Sequence, residues 1–316
     1  MYELVIIGGG PAAVAAGVYA GRKRIKTALI TESFGGQSIV SNEIYNWIGT
    51  KAISGLSLAQ NLEAHVRDHG AEIIDGEIVT AIAKIDGGPP TGHFLITTKS
   101  GKTVETKTIF MATGSRRKRL GIPGEDRLDG RGVVFCSTCD APLFKGKDIA
   151  IVGAGNAALE AAVDSIPYAN KIYMLVRGSE MRGDAVTQEK IKSHPKVTIL
   201  FNTVSQEVLG EKSVTGLRTI EKTTNKATDL AVQGVFVEIG SRPNSDPAKE
   251  LVSLNQIGEI VVDHKTQASS CSGIWAAGDV SDVLYKQNNI SAGDAVKAVL
   301  NVYDFLHRNH LFAANK

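Results

Sequence analysis

Two short glycine-rich runs in matching register do most to limit how this chain can fold. Gly8-Gly-Gly-Pro-Ala-Ala13 follows the apolar run 2–7, and Gly153-Ala-Gly-Asn-Ala-Ala158 follows the apolar run 148–152. Each apolar run reads as a buried parallel strand. Gly8 and Gly10, like Gly153 and Gly155, let the backbone turn tightly and approach a pyrophosphate. The small Ala13 and Ala158 keep the following helix close to its strand. Pro11 suits a first helical turn, where a missing N–H is no loss. A second strand follows in each unit, over 27–31 and 171–176. Glu32 lies 24 residues after Gly8 and Arg177 lies 24 after Gly153, near the spacing of about 20 expected for a group that meets the ribose. A carboxylate suits free ribose hydroxyls, whereas a guanidinium suits a 2′-phosphate, and Arg182 is close enough to join it. The first unit is therefore expected to bind FAD and the second NADPH.

The chain between these units carries the chemistry. Cys136 and Cys139 are two of only three cysteines. Their C-x-x-C spacing allows alternation between disulfide and dithiol. A helix starting here would favour a thiolate through its N-terminal partial charge. Asp140 follows directly, placed to move a proton to or from a leaving thiol. Half of a zinc site is the disfavoured reading, since only Cys271 and scattered histidines remain as further ligands.

Composition narrows the setting. With 316 residues the chain can hold two cored domains, and 43% hydrophobic with 22% charged residues is ordinary for a globular protein. A formal charge of +2 argues against a dedicated nucleic-acid or membrane-surface binder. The cysteine usage suits a reducing cytoplasm. The apolar stretch 4–20 contains Gly8, Gly9, Gly10 and Pro11 and lacks a basic leader, so a signal peptide or membrane helix is not expected.

Along the rest of the chain, Phe34-Gly-Gly-Gln37 and Tyr45-Asn-Trp-Ile-Gly49 are loops rich in turn residues and donors. An amphipathic helix is expected over 57–69, stopped by Gly70, and His65 and His69 on it read as surface histidines rather than metal ligands. Short strands follow to Ile109, then Met111-Ala-Thr-Gly114. Arg116-Arg-Lys-Arg119 reads as a solvated interdomain connection, with an acidic partner as the alternative. Strands with turns run over 197–237. Gly273-Ile-Trp-Ala-Ala-Gly-Asp279 is a strand ending in a small residue and an acid, with Cys271 filling space before it. A last helix is expected from around Ser291, with its N-terminus available to a flavin.

In this order, G-G-G-P-A-A, G-G-Q, Y-N-W-I-G, A-T-G, C-S-T-C-D, G-A-G-N-A-A, A-A-G-D and Y-K-Q resemble the low-molecular-weight thioredoxin reductases. The chain is also similar to the flavoprotein part of alkyl hydroperoxide reductase. The resemblance implies the two-domain pyridine nucleotide-disulfide oxidoreductase fold, an α/β fold with two Rossmann-like domains, the second inserted into the first. It places an FAD-binding domain at 1–116 and 245–316 and an NAD(P)H-binding domain with the redox disulfide at 117–244. It implies a cytoplasmic homodimer that reduces thioredoxin or a similar small dithiol protein. Carried over by position, Gly8, Gly10, Pro11, Ala12, Ala13, Glu32, Gly36, Gln37, Asn46, Thr113, Gly278, Asp279, Lys286 and Gln287 would hold FAD. Gly153, Gly155, Asn156, Ala157, Ala158, Arg177 and Arg182 would hold the nicotinamide cofactor. Cys139 would face the flavin, Cys136 would attack the partner, and Asp140 would act as the acid. The family alternates nicotinamide and disulfide at the flavin by a domain rotation.

The chain also departs from the family. Its phosphate motif H-R-R-x-x-x-R stands here as Val176-Arg-Gly-Ser-Glu-Met-Arg182, which leaves NADH open, with Glu180 able to turn to a free ribose. Asn288-Asn289 and Ala295 replace commoner residues near the expected flavin edge. No N-terminal thioredoxin-fold module is expected. Two other readings stay open: an NADH-linked reductase of a peroxidase or glutaredoxin-like partner, and a flavin redox sensor that does not turn over.

Overall fold

The structure, a computed structural model, describes residues 1–41 and 43–312. β1 (Tyr2–Ile7), α1 (Pro11–Arg22) and β2 (Thr27–Thr31) open the chain. A 3-10 turn (Gly36–Val40), α2 (Gly55–Arg67), β3 (Glu72–Asp75), β4 (Val79–Ile85), β5 (His93–Thr98) and β6 (Thr103–Met111) follow. Next come β7 (Ser115–Arg117), β8 (Val133–Val134), α3 (Ser137–Asp140), β9 (Asp148–Val152), α4 (Asn156–Ser165), β10 (Lys171–Leu175) and α5 (Ala185–Lys192). Then β11 (Val197–Leu200), β12 (Thr203–Leu209), β13 (Gly216–Glu221), β14 (Lys226–Leu230), β15 (Gly234–Val237), β16 (Ser241–Pro243), β17 (Ile274–Ala276) and α6 (Asn288–Arg308).

The chain divides into two compact units, one of 1–116 with 242–316 and one of 117–241. The return to the first unit falls at Arg242, so residues 242–244, expected with the second domain, lie with the first. Hydrogen bonds account for this: Asn244 donates its N–H to Gly114 and its side-chain amide to the Thr113 carbonyl at 2.8 Å.

In the first unit the sheet order is β3-β2-β1-β6-β5-β4, with β17 also on β6. β3, β2, β1, β6 and β17 run parallel, and β5 and β4 add antiparallel. Strand alternation sorts β1 between two cores. Leu4 and Ile6 pack with Val14 and Val18 of α1 and Val299 and Val302 of α6, while Val5 and Ile7 pack on the other face with Phe94, Ile260 and Val280. The tail is thus part of the same core as the opening strand. In the second unit the parallel order is β11-β10-β9-β15-β8, with a separate antiparallel β12-β13-β14 sheet. Ile149 and Ile151 face α4; Ala150 and Val152 face the other core.

Two helix boundaries differ from expectation, for local reasons. α2 starts at Gly55 because the Ser54 hydroxyl accepts the Ser57 N–H at 3.1 Å, and it ends at Arg67. α6 starts at Asn288, because its first residues are anchored: Asn288 exchanges hydrogen bonds with Ser38, and Asn289 donates to the Asn46 carbonyl at 2.6 Å. Among the described residues no helix is long and apolar enough to cross a membrane.

Candidate active site

β8 delivers the chain to Cys136, which caps the single turn α3 from extended backbone (φ −148°). The Asp140 N–H bonds back to the Cys136 carbonyl at 3.0 Å, and Cys136 and Cys139 are joined as a disulfide. A 3-10 turn over Ala141–Phe144 with a proline in its first positions takes over, so the helix does not continue. Four residues give little macrodipole, so thiolate activation by a helix end has a weak basis here. Acids face the start of the turn instead. Ser137, buried, donates its hydroxyl to Asp164 at 3.0 Å. Cys139 is exposed and Cys136 half-buried. Burial pushes the Asp140 carboxyl up to about 6, against the pull of Arg117. It pushes Glu238 up to about 7, with Arg117 and the Ser137 N–H opposing and Asp140 and Asp164 adding to the rise.

In the first unit a cleft of about 660 Å³ opens over the C-terminal ends of β1, β2 and β6. Gly8, Gly10, Pro11, Ala12, Glu32, Gly36, Gln37, Thr113, Gly278 and Asp279 line it. Ala13 lies fully buried behind them. Gly8 has φ +129°, and a Cβ there would lie 2.2 Å from the Ala112 carbonyl oxygen, so only glycine fits between β1 and the end of β6. α1 begins at Gly10 with no side-chain cap and no acid in its first turn, which leaves its N–H groups for an anion. Glu32 stands exposed on the cleft at the end of β2. Three distant stretches meet at the rim: Gln37 donates to Ser115 at 3.1 Å and to Asp279 at 3.2 Å. This cleft fits a dinucleotide: donors for a pyrophosphate, an acid for ribose, and glycines where a side chain would intrude.

Asn46 donates to Gln287 at 3.2 Å, and Gln287 caps α6. Neither lines the cleft, and Lys286 does not either. Its ammonium pairs with Glu259 at 2.7 Å and donates to the Ser281 carbonyl at 2.6 Å. Sequence reasoning missed Ser33, Ser38, Ile78, Asn244 and Ser291 as lining residues.

The second fingerprint repeats the first. Gly153 has φ +154°, and a Cβ there would lie 2.3 Å from the Glu238 carbonyl oxygen. α4 begins at Gly155, uncapped and without an acid in its first turn, beside exposed Asn156 and Ala157 and above buried Ala158. The loop after β10 folds back over this end: the Arg182 N–H donates to Ala154 at 2.8 Å and the Asp184 N–H to the Asn156 side chain at 2.7 Å. Arg177 and Arg182 are both exposed there. The run 116–119 is not solvated as a whole. Arg117 is half-buried, and Arg119 binds Asp126 at 2.6 Å and lies over the Phe135 ring. The His65 and His69 rings meet edge-on at 5.0 Å. Cys271 is a buried free cysteine.

A family model described as pyridine nucleotide-disulphide oxidoreductase matches residues 2–297. The chain belongs to that family. As a pyridine nucleotide-disulphide oxidoreductase it is an enzyme of a flavin- and nicotinamide-using family, with thioredoxin reductase-like structure. It is 39% identical over 308 residues to the Pseudomonas putida alkyl hydroperoxide reductase F subunit, covering 97% of this chain and 58% of that protein. It is 36% identical to a Bacillus subtilis protein named NADH dehydrogenase, covering 98% of this chain and 59% of that one. The chain therefore spans a little under three fifths of the length of these curated relatives. Among solved structures, thioredoxin reductase from Streptococcus pyogenes superposes with a TM-score of 0.90 at 31% identity, covering 98% of this chain and 99% of that one.

Proposed function

We propose that this chain carries two electrons from NADPH, by way of FAD in the first unit, to the Cys136–Cys139 disulfide, whose dithiol form then reduces thioredoxin or a similar small dithiol protein. The observation that carries this reading is the joined cysteine pair with Asp140 beside it, its carboxyl pushed up to about 6 by burial. The first unit (1–116 with 242–316) is read as the FAD domain and the second (117–241) as the NAD(P)H domain, in a cytoplasmic homodimer.

A bound flavin supplies the link between a hydride donor and a disulfide; the chain's own residues do the rest. The α1 N–H groups hold the pyrophosphate, and Glu32 takes the ribose hydroxyls. Arg177 and Arg182 take the 2′-phosphate. In the exchange, Cys136 attacks one sulfur of the partner's disulfide, and the other sulfur leaves with the proton from Asp140. Cys139 then attacks Cys136, re-forms the pair and releases the partner's second thiol.

A second reading is an NADH-linked reductase serving a peroxidase or glutaredoxin-like protein. The names of the Bacillus and Pseudomonas relatives favour it, as do Gly178 and Glu180, both exposed beside Arg177. Anaerobic mixing of the FAD-loaded protein with each nucleotide, followed by a thiol count, tests both. The proposal expects two new thiols per chain, formed faster with NADPH. Faster formation with NADH selects the second reading. Slow reduction by either nucleotide points to a sensor, and a colourless protein that takes up no FAD overturns all three.

A further inference from the structure

The turn that carries the disulfide is too short to hold itself. α3 has four residues, and a helix of that length is not stable alone. Its own backbone supplies two bonds, from the Asp140 N–H to the Cys136 carbonyl and from the Ala141 N–H to the Ser137 carbonyl. Cys136 caps it with no side-chain hydrogen bond. A further fastening comes from α4. Asp164 accepts the Ser137 hydroxyl at 3.0 Å and the Thr138 hydroxyl at 3.4 Å. These are the two residues between the cysteines, so one carboxylate ties down the whole spacer. Ser137 is only 8% exposed, which keeps water from replacing its bond. Asp164 is the ninth of ten residues in α4, and no basic residue stands in that last turn. A carboxylate near a helix C-terminus opposes the helix dipole. α4 is therefore not helped by this acid, and the contacts that the acid makes are with the redox turn.

We propose that Asp164 is a positioning residue for the cysteine pair: by holding Ser137 and Thr138, it keeps the turn ordered once the disulfide has opened. The disulfide is itself a staple, so its loss exposes the turn to fraying. A turn that stays ordered keeps the Cys139 sulfur beside Cys136, and re-closure then costs little ordering entropy. Re-closure is the step that releases the reduced partner, so this inference rests on the reading that the pair cycles between disulfide and dithiol.

Equilibration with glutathione tests it without nucleotide or partner protein. The full-length, FAD-loaded chain is held anaerobically in mixtures of reduced and oxidised glutathione at neutral pH and quenched with an alkylating agent. Mass spectrometry then reads Cys136 and Cys139. Two glutathione thiols become one glutathione disulfide as the pair opens to two thiols. The equilibrium constant for closing the pair should fall about tenfold in Asp164→Ala, a shift of about 30 mV for a two-electron couple. Ser137→Ala combined with Thr138→Val should give the same fall, because it removes both donors and leaves the carboxylate. All three changes together should lower the constant no further than either variant. If Asp164→Ala does not fold, the double hydroxyl variant decides alone. An unchanged constant, even with a lowered melting temperature, marks a purely structural role and overturns the proposal. Losses that add in the combined variant overturn it as well, since the acid would then act on the cysteines without the hydroxyls. If wild type reduces no protein disulfide, the functional reading fails, while the glutathione titration still decides this one.

Discussion

Gln37 donates its side-chain amide to the carboxylate of Asp279, 242 positions later, at 3.2 Å. The bond joins the loop after β2 to the loop after β17, and Ser115 shares it at 3.1 Å from Gln37. One wall of the cleft is therefore built from three stretches that only the folded sheet brings together. A hydrogen bond to a charged group contributes about 1.5–3 kcal/mol. Asp279→Ala should weaken FAD retention about tenfold or more, read by fluorescence titration of the apoprotein.

The two fingerprint glycines give a cleaner separation. Gly8→Ala puts a Cβ against Ala112, and Gly153→Ala puts one against Glu238, each in a backbone conformation unfavourable to any side chain. Gly8→Ala should purify without flavin. Gly153→Ala should remain yellow but lose reduction by nucleotide. Flavin loss from both variants alike would contradict the division of roles between the units.

Legibility in the sequence followed how local the cause was. β1, β2 and β9 fall on the residues that the apolar runs indicated, because a short apolar run closed by a glycine, as at Gly8 and Gly153, or by an acid, as at Glu32, needs no distant partner to be seen. The start of α6 was not legible, since Ser38 and Asn46 anchor it from 250 and 243 positions away. Lys286 looked like a cofactor contact by position, yet Glu259 holds its ammonium. Glu238 had a readable signal that was passed over: an acid directly after a buried apolar strand, the same placement that marked Glu32.

The cysteines should differ in what they trap. With Cys136 as the attacking sulfur, Cys139→Ser should accumulate a mixed disulfide with thioredoxin, and Cys136→Ser should not. Non-reducing electrophoresis with mass spectrometry reads this directly. Accumulation only in Cys136→Ser would reverse the roles, and the greater exposure of Cys139 makes that outcome worth the measurement.

Asp140 should leave a mark on stability. Its folded pKa is raised to about 6, so its favourable contribution is complete below the unfolded value near 3.8 and is lost as pH rises through 6. Asp140→Asn should therefore be more stable than wild type at about pH 8, by up to about 3 kcal/mol, and little different at about pH 4. Thermal melts of both proteins at the two pH values check the sign.

The nucleotide preference turns on Arg177. Replacing it with Ala should raise the KM for NADPH about 10- to 100-fold and change that for NADH little, because only NADPH has a phosphate to lose. Equal weakening of both would show that this guanidinium does not read the phosphate.

The central claim is that electrons from the nucleotide leave through Cys136 and Cys139 to a protein disulfide. The most direct measurement is a count of NADPH oxidised against thiols appearing in oxidised thioredoxin, under anaerobic conditions, for wild type and for Cys136→Ser. The account predicts one NADPH per two thioredoxin thiols in wild type and no thiols in the variant. NADPH oxidation without new thioredoxin thiols, or thiol formation that survives Cys136→Ser, would contradict it.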